Sequence, residues 1–208
     1  MSETVLIPGG RDVRATLDTA ASDGSRVDAV VVACPPHPQQ GGHRGDERLT
    51  AASEALTAIG IDCLRFDYGD WDEGYGESTD ADNAVGWAVE HYGGVGLFGF
   101  SFGATVALVT AASRPELAGV CALAPTARLN TDVDAVAALD ALTDLGVPVR
   151  VLYATRDSTA DWEPVVERAG TLGVETAAFE SDHFFIGRSG AIGDAVAEFF
   201  EPLLGGSR

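Results

Sequence analysis

The chain has 208 residues, 46% of them hydrophobic and 22% charged, and its 32 acids face 13 basic residues for a formal net charge of −19. That composition excludes a disordered chain and supplies apolar material for a sizeable core. No apolar run approaches the roughly 20 residues that span a bilayer, and a surface poor in cations neither displaces counterions from nucleic acid nor docks on an anionic membrane, so neither partner is expected. All 13 basic residues are Arg. Acids spread along a chain without Lys predict a surface adapted to concentrated salt, where self-repulsion is screened. Residues 1–10 show no basic start and no long apolar stretch, so no secretory signal is expected. Cys34, Cys63 and Cys121 are odd in number, lie in apolar runs and form no C-x-x-C. They read as reduced, buried thiols of a cytoplasmic protein.

Residues 13–17 alternate and predict an early strand. Residues 28–34 form a continuous apolar run, the pattern of a strand buried on both faces. The Pro- and Gly-rich stretch 35–42 predicts a loop. Residues 48–59 have helical spacing and stop at Gly60. A second buried strand is expected over 61–66, an acidic, Gly-rich loop over 67–78 and a helix over 80–92. Strands follow at 95–100, 119–124, 147–154 and 174–179. They alternate with helices at 102–113, 132–145, 161–172 and 190–204, and residues 205–208 are left as a short tail. No repeat or linker interrupts the series, which predicts one domain over 1–208. Buried strands alternating with helices mean a mostly parallel sheet covered on both faces. In such sheets ligands bind at the carboxyl ends of the strands.

One of those ends carries Gly99-Phe100-Ser101-Phe102-Gly103, a G-x-S-x-G pattern between an apolar strand and a small-residue helix. This is the context of a nucleophile elbow, a sharp turn that lifts a Ser hydroxyl above the sheet. Such a hydroxyl needs a base to take its proton. Elbow folds supply the partners in the chain order Ser, acid, His. Of the four His (37, 43, 91 and 183), His183 alone lies in the last third of the chain, shortly after a strand. His91 falls in a helix and is expected to be solvated. Asp157 follows the preceding strand and is the expected acid, placed to orient the imidazole. Asp161 is the alternative, with helix capping as its competing explanation. An oxyanion hole needs two backbone donors. The N–H of Phe102 is the first. Pro35, Pro36 and Pro38 have no N–H, so Gln39, or next Gln40, is the expected second. His37 is expected to brace its loop. Gly94-x-Gly96-x-x-Gly99 mimics a dinucleotide fingerprint but lies inside a strand. The acids at 67, 70, 72, 73 and 77 lack calcium-loop spacing. No metal or cofactor is expected.

Taken together, the chain resembles the α/β-hydrolase superfamily, and within it a compact, dienelactone-hydrolase-like group of serine hydrolases. The resemblance is carried by Pro36-His37-Pro38-x-x-Gly41-Gly42, Leu64-Arg65-Phe66, Gly74-x-Gly76-Glu77, the elbow, Asp157 and Asp182-His183-Phe184-Phe185, in order over about residues 28 to 200. It implies an α/β-hydrolase fold with helices on both faces of a mostly parallel sheet. Residues 126–140 leave room for little or no lid. It further implies a Ser101–Asp157–His183 triad cleaving carboxylic esters of small or flexible substrates. Dienelactone hydrolases proper use Cys where this chain has Ser101, which opens the question of substrate. A thioesterase, acyltransferase or C–C hydrolase would use the same triad, and a binding module could retain the fold. The expected partner is a small ester or acyl compound, and a homodimer stays open.

Overall fold

A computed structural model of the chain describes residues 1–21 and 28–205; residues 206–208 of the expected tail lie outside them. Eight strands form one sheet: Ser2–Leu6 (β1), Arg14–Asp18 (β2), Ala29–Cys34 (β3), Asp62–Phe66 (β4), Gly94–Phe100 (β5), Gly119–Leu123 (β6), Val149–Ala154 (β7) and Glu175–Phe179 (β8). Their spatial order is β1-β2-β4-β3-β5-β6-β7-β8. The pairings of β2 with β1 and with β4 are antiparallel, and the others are parallel. The helices are Glu47–Ala58 (α1), Tyr75–His91 (α2), Phe102–Ala111 (α3), Ala135–Leu145 (α4), Glu163–Leu172 (α5) and Ser189–Leu204 (α6).

The apolar run of β3 shows why the sheet is covered twice. Ala29, Val31 and Ala33 face Leu49 and Leu56 of α1 and Ile192, Val196 and Phe200 of α6. Val30, Val32 and Cys34 face the opposite layer, with Ala84 and Val85 of α2, Val106 of α3 and Leu139 of α4. Side chains alternate along a strand, so a strand with helices on both sides must be apolar at every position. Each fully buried Val is worth roughly 1.5–3 kcal/mol of transfer free energy. Cys34, Cys63 and Cys121 are buried, unpaired members of this core. Burial pushes the Cys63 and Cys121 thiols up to about 12 and raises Cys34 as well.

Three elements depart from the sequence reading. β1 escapes it because its side chains are mostly exposed, leaving no apolar alternation to read; it is held by backbone pairing to β2. α2 begins at Tyr75 rather than 80. The reason is Glu77, an acid assigned to the 67–78 loop. Its carboxylate is fully buried and accepts the N–H groups of Asp72 (3.0 Å) and Gly74 (2.8 Å), closing the helix start. α4 starts at Ala135 rather than 132, because the Asp134 carboxylate caps it, accepting from the N–H groups of Val136 (2.9 Å) and Ala137 (3.0 Å). Among the described residues, no helix is long and apolar enough to cross a membrane. None of their His, Cys, Asp and Glu side chains form a metal-holding group.

The topology fixes where a ligand should sit. Chain order reverses around β3, which pairs with β4 on one side and β5 on the other. The loops leaving β3 and β5 therefore diverge over a crevice at the carboxyl edge of the sheet.

Candidate active site

Ser101 joins β5 to α3 with φ +56° and ψ −122°, a conformation that side-chain-bearing residues rarely adopt. The turn is tight enough to demand glycine at both flanks. A Cβ on Gly99 would collide with the Gly103 carbonyl, and one on Gly103 would collide with the carbonyls of Cys34 and Pro35. The second collision matters for the site, because it shows the loop after β3 lying directly on the first turn of α3.

His183 sits in the loop between β8 and α6. That loop is pinned by Phe185, which is buried with its ring edge-on to Phe100 (6.1 Å between centroids) and Phe179 (5.7 Å). The Ser101 hydroxyl faces His183 Nε2 at 2.8 Å, and His183 Nδ1 faces Asp157 Oδ2 at 2.6 Å. The Asp157 side chain is wholly buried. Its other oxygen accepts from the N–H groups of Thr159 (2.8 Å) and Ala160 (3.0 Å). One carboxylate thus holds both its own turn after β7 and the imidazole. An acceptor at Nδ1 keeps the ring proton there and leaves the Nε2 lone pair directed at the serine hydroxyl.

Asp161 takes no part in this chain of bonds, and it does not cap a helix either. α5 begins at Glu163, with Trp162 before it and no side-chain cap. The backbone of Asp161 is drawn aside: its carbonyl accepts from Ala127 N–H (2.7 Å) and its N–H donates to Thr126 Oγ1 (3.2 Å). His91 is exposed as expected, with its ring stacked on Trp87 (4.2 Å).

The oxyanion side differs from expectation. Pro38–Gln40 is one turn of 3-10 helix, and His37 is its cap. The Gln39 N–H, expected to face a substrate, donates instead to His37 Nδ1 (3.2 Å). The Gln40 and Gly42 N–H groups both donate to the His37 carbonyl (3.0 Å each), and Gly41 donates to Pro38. The sequence reading made 35–42 a loop and counted the first amide past Pro38 as free, whereas Pro at a first helical position starts a turn that engages the following amides. Among the described residues, the N–H groups of His37 and Phe102 have no acceptor. His37 does brace its loop, with its ring stacked on Trp71 (4.6 Å) and tilted against Phe102 (5.0 Å).

Ser101 and His183 open into a cleft of about 230 Å³ whose walls include Arg48, Thr159 and Phe184. Arg48 was legible only as a helix-start residue. Its guanidinium lies 4.5 Å over the Phe100 ring, pairs with Asp46 (2.6 Å) and reaches the Phe184 carbonyl (3.4 Å). It thereby ties α1 to the loop that carries His183.

No family model matches the chain. It is 24% identical over 182 residues to an uncharacterized protein of Rickettsia prowazekii, covering 79% of this chain and 75% of that protein. Its structure is similar to that of an α/β serine hydrolase without lid from Xanthomonas campestris, with a TM-score of 0.82 and 23% identity over 100% of this chain and 97% of that one. It is also similar to a dienelactone hydrolase from Anabaena variabilis, with a TM-score of 0.76 and 19% identity over 98% of each chain. The chain has the α/β-hydrolase fold.

Proposed function

We propose that this protein is a serine hydrolase of carboxylic esters. In this reading the Ser101 oxygen attacks the ester carbonyl while its proton passes to His183 Nε2, and Asp157 steadies the imidazolium that results. The tetrahedral oxyanion is held by the N–H groups of Phe102 and His37, the second replacing the Gln39 donor expected from sequence. Collapse breaks the bond to the alcohol, which leaves with the proton from Nε2. Water then repeats the sequence on the acyl-enzyme, giving its proton to Nε2, and Ser101 departs as the acid is released. The site requires no cofactor in this scheme.

The observation that supports this most is the continuous pair of hydrogen bonds, 2.8 Å and 2.6 Å, joining Ser101, His183 and Asp157 across 82 and 26 residues of chain. An idle hydroxyl would have no reason to sit at a strained corner facing a buried His–Asp pair. The open cleft favours small or flexible esters. A fluorophosphonate probe should label the native protein and fail to label Ser101→Ala. Absence of labelling in the native protein, with the fold intact by circular dichroism, would overturn the reading.

A further inference from the structure

A second cleft, of about 290 Å³, lies on the other side of the loop after β3. It shares His37 with the first but includes neither Ser101 nor His183. Its apolar surface comes from Trp71, Phe102 and Leu129, with Glu73 and Asn130 beside them. The wall is preformed. The Asn130 amide donates to the Glu73 carbonyl (2.7 Å), and the Tyr75 hydroxyl donates to Asp132 (3.0 Å), so the loop after β4 is tied to the loop after β6. Trp71 is held flat against His37 at 4.6 Å and lies 5.6 Å from Phe102.

The chemistry assigns the two clefts different halves of an ester. The leaving oxygen must take its proton from His183, so the alcohol occupies the cleft that contains His183. The oxyanion points at the amides of His37 and Phe102, and the acyl substituent must extend away from His183. The second cleft is walled by His37 and Phe102, the same two residues whose amides receive the oxyanion in this reading. That cleft offers an indole, a phenyl ring and a Leu side chain, surfaces that reward a flat apolar group. It has no Arg among its walls, and the Glu73 carboxylate repels an anion. We propose that this cleft is the acyl subsite and that it selects neutral, planar acyl groups, an aryl ring foremost, over short alkyl and carboxylate-bearing ones. The inference rests on the esterase reading above.

The test compares kcat/KM for 4-nitrophenyl acetate, 4-nitrophenyl benzoate and mono-4-nitrophenyl terephthalate, each normalised to its rate with hydroxide. The benzoate should exceed the acetate by about tenfold or more, and the added carboxylate should lower the benzoate value by a similar factor. Trp71→Ala should reduce the benzoate-to-acetate ratio at least about tenfold, and Trp71→Phe should restore most of it. Leu129→Trp, which fills the cleft from its other loop, should reduce the same ratio independently; thermal melting checks that each variant is folded. A wild-type protein that takes the fluorophosphonate probe but shows no aryl preference overturns this inference alone. So does a ratio that neither variant changes. A protein that takes no probe overturns the esterase reading and this inference with it.

Discussion

Asp157→Asn separates orientation from architecture in the proposed triad. The Asp157 oxygen that accepts from Thr159 and Ala160 (2.8 and 3.0 Å) can be replaced by the amide oxygen, so the turn after β7 survives. The amide NH₂ then faces His183 Nδ1, where a carboxylate oxygen stood at 2.6 Å. A donor there forces the ring proton onto Nε2, which can no longer accept from Ser101. The expected loss in kcat is about 10⁴-fold, or roughly 5.4 kcal/mol of barrier, with KM little changed. Asp157→Ala should add a loss of stability of about 1–3 kcal/mol, because two backbone donors lose their acceptor. Turnover of a 4-nitrophenyl ester at neutral pH, paired with thermal melting, reads both effects. A kcat for Asp157→Asn within tenfold of wild type, or an equal loss in Asp161→Asn, would refute the assignment.

Gly103→Ala should abolish labelling of Ser101 and lower Tm, since its methyl group meets the Cys34 and Pro35 carbonyls; a fully active, equally stable variant would contradict the close approach of loop and helix. Glu77→Ala should cost about 2 kcal/mol in urea denaturation by orphaning the Asp72 and Gly74 N–H groups. At Asp18, burial raises the carboxyl pKa, but hydrogen bonds from Arg65, Ser2 and Ser53 outweigh it and hold the group below its ordinary value. Its stabilisation is therefore complete above an unfolded-state pKa of about 4 and disappears as pH falls through the lower folded value. Asp18→Asn should flatten this acid-side slope in melting curves. Finally, screening of the −19 net charge should raise Tm as KCl is added; highest stability in dilute buffer would overturn the salt-adapted reading of the surface.

The alternation of apolar runs and helical periods made the central sheet legible, because a doubly covered strand such as β3 must be apolar throughout. The elbow and its partners were legible for a related reason. Gly99 and Gly103 mark a backbone crowding that no other residue satisfies, and chain order then singles out Asp157 and His183. What stayed hidden depends on contacts distant in sequence or on local turns. β1 has an exposed face, so only its pairing partner defines it. Glu77 looks like a solvated acid until the backbone amides it accepts from are in place. Counting amides past Pro38 ignores the turn that Pro38 itself starts, which directs the Gln39 N–H to His37 Nδ1. Arg48 and Trp71 come from segments with no motif of their own, and their place in the clefts follows only from the packed structure.

The bond between Asn130 and the Glu73 carbonyl has a broader consequence. It joins two connecting segments to one another, whereas Ser101, Asp157 and His183 are anchored by β5, by the turn after β7 and by a loop whose Phe185 is sunk between aromatic rings. The cleft walls at Trp71, Glu73, Leu129 and Asn130 thus belong to these connecting segments, whereas His37 and Phe102 serve both the cleft and the proposed oxyanion hole. Mutations at those four walls leave His37 and Phe102 in place, so a lineage built on this framework can change diet in small steps. Grafting the paired segments 67–74 and 124–134 onto a sister scaffold together, rather than singly, is the way to transplant the trait.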